Sequence, residues 1–258
     1  MVIKKQVLAI DIGNTNTHFG IIDTDELKAI TLRNIPTDSF KEELVSVVLD
    51  LFERTDKSFC SKIVIASGIG TLAEIARSKL EDLFPGNVNV AKYTADLPFK
   101  CKYKKPQQLG IDRLASALYG HVLYPNSNLI LISAGTAITI DLFQNNMFSG
   151  GTIIPGITTQ LVSLEKATDA LPLVPSSQLS GEIGFPGLTT ESCIEAGVLF
   201  GTAGAVERIV RELQTFCHDC IVLATGGDWE ILKNHVSFQH ESVPEMVLIG
   251  TALFERYL

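Results

Sequence analysis

The sequence predicts an α/β protein assembled from two duplicated halves, on the strength of two patterns. The first is an internal repeat. Residues 7–15, VLAIDIGNT, form an apolar run broken by Asp11 that ends in a turn of small residues, and residues 16–23 continue as a second strand-like stretch. Residues 129–137, LILISAGTA, and 138–143 repeat that layout, with Gly135 falling on Gly13 and Ser133 on Asp11. Each copy reads as a β-hairpin with a tight turn of little bulk. The second pattern is alternation: strand-like runs separated by segments of helical periodicity, the mark of α/β architecture.

Taken in order, residues 41–54 set Leu44, Val47, Val48 and Leu51 at helical spacing. Residues 62–67, KIVIAS, read as a strand, and 71–84 as an amphipathic helix stopped by Pro85-Gly86-Asn87. Tyr103-Lys104-Lys105-Pro106 reads either as a solvated basic loop or as a loop facing a substrate. Residues 110–121 form a further helix, with Asp112 near its start and Leu114, Ala117 and Leu118 on its packed face. Pro125-Asn126-Ser127-Asn128 is the best boundary and gives expected domains 1–125 and 126–258. Beyond the second hairpin, 161–171 and 190–214 read as helices, 220–225 as a strand ending in Gly226-Gly227, and 243–258 as a closing helix.

Composition narrows the function. Of 258 residues, 46% are hydrophobic and 19% charged, which supports a packed core and excludes disorder as the dominant state. A net charge of −8 opposes nucleic acid or an anionic membrane as the main partner, since either demands a basic face. No apolar run reaches the roughly eighteen residues of a membrane span. Met1-Val2-Ile3-Lys4-Lys5-Gln6 leads straight into a strand-like run, so a cleaved signal is not expected. Five irregularly placed cysteines, Cys60, Cys101, Cys193, Cys217 and Cys220, read as reduced cytosolic thiols, and the expected location is cytoplasmic. Cys217-His218-Asp219-Cys220 resembles half a zinc site, but no second cysteine pair or finger-spaced histidines accompany it.

Two motifs suit chemistry. In Asp11-Ile12-Gly13-Asn14-Thr15, a turn of small residues lets backbone N–H groups approach phosphate oxygens, while a neighbouring carboxylate can hold a divalent cation. The alternative is an ordinary turn in which Asp and Asn bond their own backbone. The repeat at Gly135-Thr136-Ala137 favours the phosphate reading, although P-loop and dinucleotide fingerprints are both absent. In Gly110-Ile111-Asp112-Arg113, Asp112 is either a helix cap or a general base for an attacking hydroxyl. Arg113 can then face phosphate or carboxylate as a bidentate donor.

Asp11 to Thr15, Gly110 to Arg113 and Gly135 to Asp141, in that order and spacing, resemble the three signature motifs of type III pantothenate kinases. Gly150 to Gly156, Thr189-Thr190 through Gly197, and Gly226-Gly227-Asp228 extend the resemblance over essentially the whole chain. The resemblance implies two duplicated ribonuclease-H-like (actin-like ATPase) α/β domains with a nucleotide cleft between them, usually paired as a homodimer. It implies ATP-dependent phosphorylation of pantothenate to 4′-phosphopantothenate, the first committed step towards coenzyme A. By motif matching, Asp11, Ile12, Gly13, Asn14, Thr15, Asn16, Thr17 and His18 line the ATP phosphates, and Thr136 touches ATP. Asp112 is the proton acceptor, and Tyr103, Gly110, Ile111, Asp112, Arg113 and Thr190 meet pantothenate. The implied cofactors are Mg²⁺, with Asp11 as its carboxylate, and a monovalent cation, K⁺ or NH₄⁺.

Two positions depart from the family pattern. Ser133 stands where the family usually carries a cation-binding Asp; its hydroxyl can ligate K⁺ but brings no charge. Thr189 replaces the usual Asn. A related class, the Bvg accessory factor group associated with transcriptional regulation, is the alternative: Asp11 and Asp112 favour a working kinase, and Ser133 leans the other way. A superfamily phosphatase or chaperone fits poorly, because the chain is too short for a chaperone's substrate domain.

Overall fold

A computed structural model of the chain describes residues 6–54 and 60–258; residues 1–5, on which the reading of the N-terminus falls, lie outside them. In chain order the elements are β1 (Gln6–Ile12), β2 (Asn16–Asp23), β3 (Lys28–Pro36), α1 (Phe40–Glu53), β4 (Cys60–Ser67), α2 (Gly70–Glu81), β5 (Val88–Val90), β6 (Lys100–Cys101) and α3 (Ile111–Leu123). There follow β7 (Leu129–Ala134), β8 (Ala137–Gln144), β9 (Met147–Pro155), α4 (Ile157–Ala167), α5 (Thr190–Phe216), β10 (Ile221–Thr225), α6 (Trp229–Leu232), β11 (Glu241–Ser242) and α7 (Met246–Leu253).

The chain groups into two compact units. The first comprises Met1–Asn126, Asn146–Phe148 and Glu245–Leu258, and the second Ser127–Asn145 and Ser149–Pro244. Two later segments, Asn146–Phe148 and Glu245–Leu258, return to the first unit. Lys100 and Cys101 pair with Met147 and Phe148, which draws that stretch in. The closing helix α7 packs on α3 and β1.

In the first unit the sheet runs β3-β2-β1-β4-β5. The strands β1, β2 and β3 are antiparallel neighbours, while β4 lies parallel to β1 and β5 to β4. Val7, Leu8, Ala9 and Ile10 are all buried, so β1 is covered on both faces and reads as a continuous apolar run rather than an alternating one. One face is closed by α1 and α2 through Phe40, Leu44, Val48, Ala73, Ala76 and Leu80. Contact between α7 and α3 is so close that a Cβ on Gly250 would overlap the Ala115 carbonyl oxygen. Gly250→Ala is therefore expected to destabilise the protein by about 1–3 kcal/mol, read as a lower urea midpoint at unchanged slope.

The second unit repeats the topology. Read from β9, its strands run β9-β8-β7-β10-β11, the same order as β3-β2-β1-β4-β5. Again the leading pair, β7 and β8, is antiparallel, and β10 and β11 add in parallel. The duplication legible in the sequence is thus present in the fold. The two hairpins differ by one residue: Ile12 pairs with Thr17, whereas Ala134 pairs with Ile138.

Element limits shift where capping or proline decides them. The helix expected at 161–171 is α4, starting at Ile157 after Gly156 and ending at Ala167; Pro172 disfavours helical backbone just before it. The closing helix begins only after Pro244, at Met246, and gives way to a 3₁₀ turn at Phe254–Arg256. The reading of five reduced thiols fails at one pair: Cys217 and Cys220 form a disulfide. Asp219 between them has φ +60°, and the turn brings the Cα atoms to 6.2 Å, within bridging range.

Candidate active site

In the first unit, the C-terminal ends of the parallel strands β1 and β4 lie side by side, with Ile12 opposite Ser67. Ligands of α/β sheets gather at such ends. Asp11 is the penultimate residue of β1, and the turn Gly13-Asn14-Thr15 follows it. Bonds to its carbonyls hold that turn. Gly13 N–H donates to Asn16 O at 3.0 Å and Thr37 N–H to Thr15 O at 2.9 Å. The Thr37 hydroxyl donates to Gly13 O at 2.8 Å, and the Ser67 hydroxyl to Ile12 O at 3.2 Å. A Cβ on Gly13 would come within 2.8 Å of the Asn16 carbonyl oxygen, so the tight closure requires glycine. Asn14, Thr15 and Asn16 are exposed, whereas Ile12 and Thr17 are buried core residues that could meet a ligand only through their backbone. His18 Nδ1 lies 2.8 Å from Asn34 Oδ1.

Burial, reinforced by the negative charge of Asp112, pushes the Asp11 carboxyl up from 3.8 to about 7. Asp112 is the second residue of α3, not its cap; the cap is Gly110, and no side chain bonds there. The capping reading of Asp112 is therefore displaced, leaving only a carboxylate in the first turn, where the helix dipole favours it.

Arg113, next along α3, is 5% exposed. Its guanidinium sits 5.7 Å from the Tyr103 ring centroid and 5.6 Å from that of Phe148, and it donates to the Tyr103 hydroxyl at 3.3 Å. Sequence reasoning singled out Tyr103 and Arg113 but missed Phe148, which flanks the same guanidinium.

The second-unit candidates are arranged on their own hairpin. Ser133 is half-buried near the end of β7, and Thr136 is exposed in the turn. That turn is clamped: Gly156 N–H and the Thr159 hydroxyl donate to Thr136 O at 3.0 and 2.6 Å, and Asp228 N–H donates to Ala134 O at 3.0 Å. A Cβ on Gly226, at φ +101°, would overlap the Ala134 backbone. Asp228 Oδ2 also accepts from Ile157 N–H at 3.0 Å at the start of α4, and burial raises its carboxyl above the usual range. The Gly226-Gly227-Asp228 turn is legible in the sequence, but nothing local to it marks the partners that Thr159 and Asp228 meet. Thr190 is the exposed first residue of α5. Thr189 caps that helix, accepting from Ser192 N–H at 3.1 Å while the Ser192 hydroxyl accepts from Thr189 N–H at 2.9 Å. Thr189 thus closes a capping box at the start of α5.

Comparison with known proteins identifies the chemistry. A family model described as type III pantothenate kinase matches residues 7–212. A type III pantothenate kinase of Persephonella marina is 31% identical over 97% of this chain and 98% of its own; one from Porphyromonas gingivalis is 30% identical over 94% and 95%. Among solved structures, a conserved Baf family protein from Campylobacter jejuni aligns with TM-score 0.62 at 20% identity, covering 97% of this chain and all of that one. A ROK family glucokinase from Streptomyces griseus aligns with TM-score 0.58 at 11% identity, over 98% and 100%. At those identities the structures show the fold alone, which is that of actin-like ATPases and sugar kinases. The chain belongs to the type III pantothenate kinase family. It is accordingly an ATP-using kinase, and the regulatory alternative is not favoured.

Proposed function

We infer that this chain transfers the γ-phosphoryl group of ATP to the primary hydroxyl of pantothenate, forming 4′-phosphopantothenate at the head of coenzyme A biosynthesis. The observation that supports this reading best is the placement of Asp11 at the end of β1, directly before the small-residue turn, with a second carboxylate, Asp112, in the first turn of α3. Phosphoryl transfer asks mainly for positioning and charge neutralisation. The turn Gly13-Asn14-Thr15, with the start of β2 as far as His18, cradles the nucleotide phosphates. Asp112 orients the attacking hydroxyl and takes its proton. Arg113, held between Tyr103 and Phe148, faces the pantothenate carboxylate, a pairing its fork geometry suits.

Asp11 fits as a Mg²⁺ ligand, because a half-buried carboxylate shielded from solvent and near a second negative charge is stabilised by a cation. Among the described residues no group of three or more His, Cys, Asp or Glu is placed to hold a metal; Asp11 would be the protein carboxylate that holds the ion. When bound, Mg²⁺ neutralises charge developing on the phosphate oxygens. Thr136 contributes to ATP and Thr190 to substrate, and the working form is a cytoplasmic homodimer; family resemblance supports these parts of the reading. A coupled ADP-release assay tests the whole. Pantothenate-dependent ADP release in Mg²⁺ is expected, and folded protein that releases none under any cation condition rules the activity out.

The monovalent-cation requirement is expected to be weak. Ser133 supplies a hydroxyl where the related enzymes supply a carboxylate, and charge count strongly sets affinity for hard cations. K⁺ activation should need a higher concentration in wild type than in Ser133→Asp. Identical activation midpoints for the two proteins would place Ser133 away from the cation.

A further inference from the structure

We propose that Gly110 is a positioning residue whose missing side chain sets where the Asp112 carboxylate stands. The proposal rests on the kinase reading above, in which Asp112 is the proton acceptor. Gly110 is the cap of α3 with φ −54° and ψ 133°, a conformation open to every L-residue. Backbone freedom therefore does not call for glycine, and the cap itself would be filled at least as well by serine, threonine or aspartate. The chain uses such a residue at α5, where Thr189 bonds Ser192 N–H.

What calls for glycine at 110 is space. A Cβ there would stand 2.5 Å from Asp112 Oδ1, with Arg113 Cδ at 3.6 Å and Asp112 Cγ at 3.7 Å. A carbon cannot sit that close to a carboxylate oxygen. The obstacle is the free end of a side chain, so the fold can accommodate a Cβ by turning the carboxylate away. Gly13 and Gly250 differ, since a Cβ there meets backbone. At Gly110 the strain is relieved by moving the one group that must reach the substrate hydroxyl. A displacement of about 1 Å in such a group is enough to cost on the order of 10²-fold in rate.

Two variants separate positioning from structure. Gly110→Ala adds only the Cβ; Gly110→Ser adds the same Cβ with a hydroxyl suited to capping α3. Both should lose at least tenfold in kcat, a larger effect than any rise in pantothenate KM, and the Ser variant should melt no lower than wild type. Crystal structures of wild type and Gly110→Ala should show the Asp112 carboxylate in different places. Wild-type kcat in the Ser variant, a change confined to KM, or an unmoved Asp112 carboxylate overturns the proposal. If wild type itself lacks pantothenate-dependent turnover, the kinase reading fails, and the crystal comparison alone decides what Gly110 does to Asp112.

Discussion

Asp112→Asn is expected to lower kcat at least 10²-fold while Mg-ATP binding, measured by calorimetry, stays within a few-fold of wild type. Asparagine has the same shape but cannot take a proton from the substrate hydroxyl. Because the cap of α3 is Gly110 and Asp112 is the second helical residue, the substitution leaves the cap untouched. It gives up a carboxylate–dipole contribution of roughly 0.3–1 kcal/mol, too little to unfold the protein. Asp11 loses the smaller of the two causes that raise its carboxyl, and burial, the larger, remains. Near-normal turnover, or a loss of activity that tracks a loss of thermal stability, would return Asp112 to a purely electrostatic role in the helix.

The parts of this molecule legible in the sequence are those specified by local pattern. Both hairpins were visible because β1 and β7 are buried on both faces, which writes an unbroken apolar run ending in small residues. Five strands carry no clear signal in the sequence: β5, β6 and β11, which are only two or three residues long, and the longer β3 and β9. In β3 every residue but Ile35 is exposed or half-exposed, and β9 is interrupted by Gly150 and Gly151, so neither writes a strong period. A turn signal was nonetheless present: Asn145 and Asn146 both have positive φ, 52° and 55°, the pattern of a tight hairpin turn. The return of α7 to the first unit depends on a close approach at Gly250, a long-range contact that no sequence window contains. The same distinction governs the site. Asp11 and Asp112 stand out in the sequence because they sit in short motifs, whereas Phe148, Thr159 and Asp228 reach their partners across 35, 23 and 71 residues of chain. The capping alternative for Asp112 fails for a local reason: helix α3 starts directly after Gly110, two residues earlier than a capping Asp112 requires.

Asp11→Asn is expected to reduce kcat/KM for Mg-ATP on the order of 10²-fold and, in the same protein, to raise stability at alkaline pH. The first effect follows from removing the carboxylate beside the phosphate cradle, and it should appear in nucleotide use before pantothenate affinity. The second follows from linkage. Folding raises the Asp11 carboxyl from 3.8 to about 7, so between those values the folded chain keeps a proton that the unfolded chain has released. Wild-type stability must then fall as pH rises through that window and level off above it. One pKa displacement of a unit corresponds to about 1.4 kcal/mol, so the penalty at pH 8 is a few kcal/mol at most. Asn carries no such penalty: without nucleotide the variant should melt higher than wild type at pH 8, and the difference should shrink towards pH 4. Binding of Mg-ATP should reverse the wild-type cost, because a cation beside Asp11 favours the ionised form. Calorimetry near pH 7 in buffers of different ionisation enthalpy should accordingly detect proton release in wild type and less in Asp11→Asn. Unchanged Mg-ATP binding and turnover in the variant would remove Asp11 from the nucleotide site. A coincident loss of nucleotide use and gain of alkaline stability is the combination that a merely structural buried carboxylate would not produce.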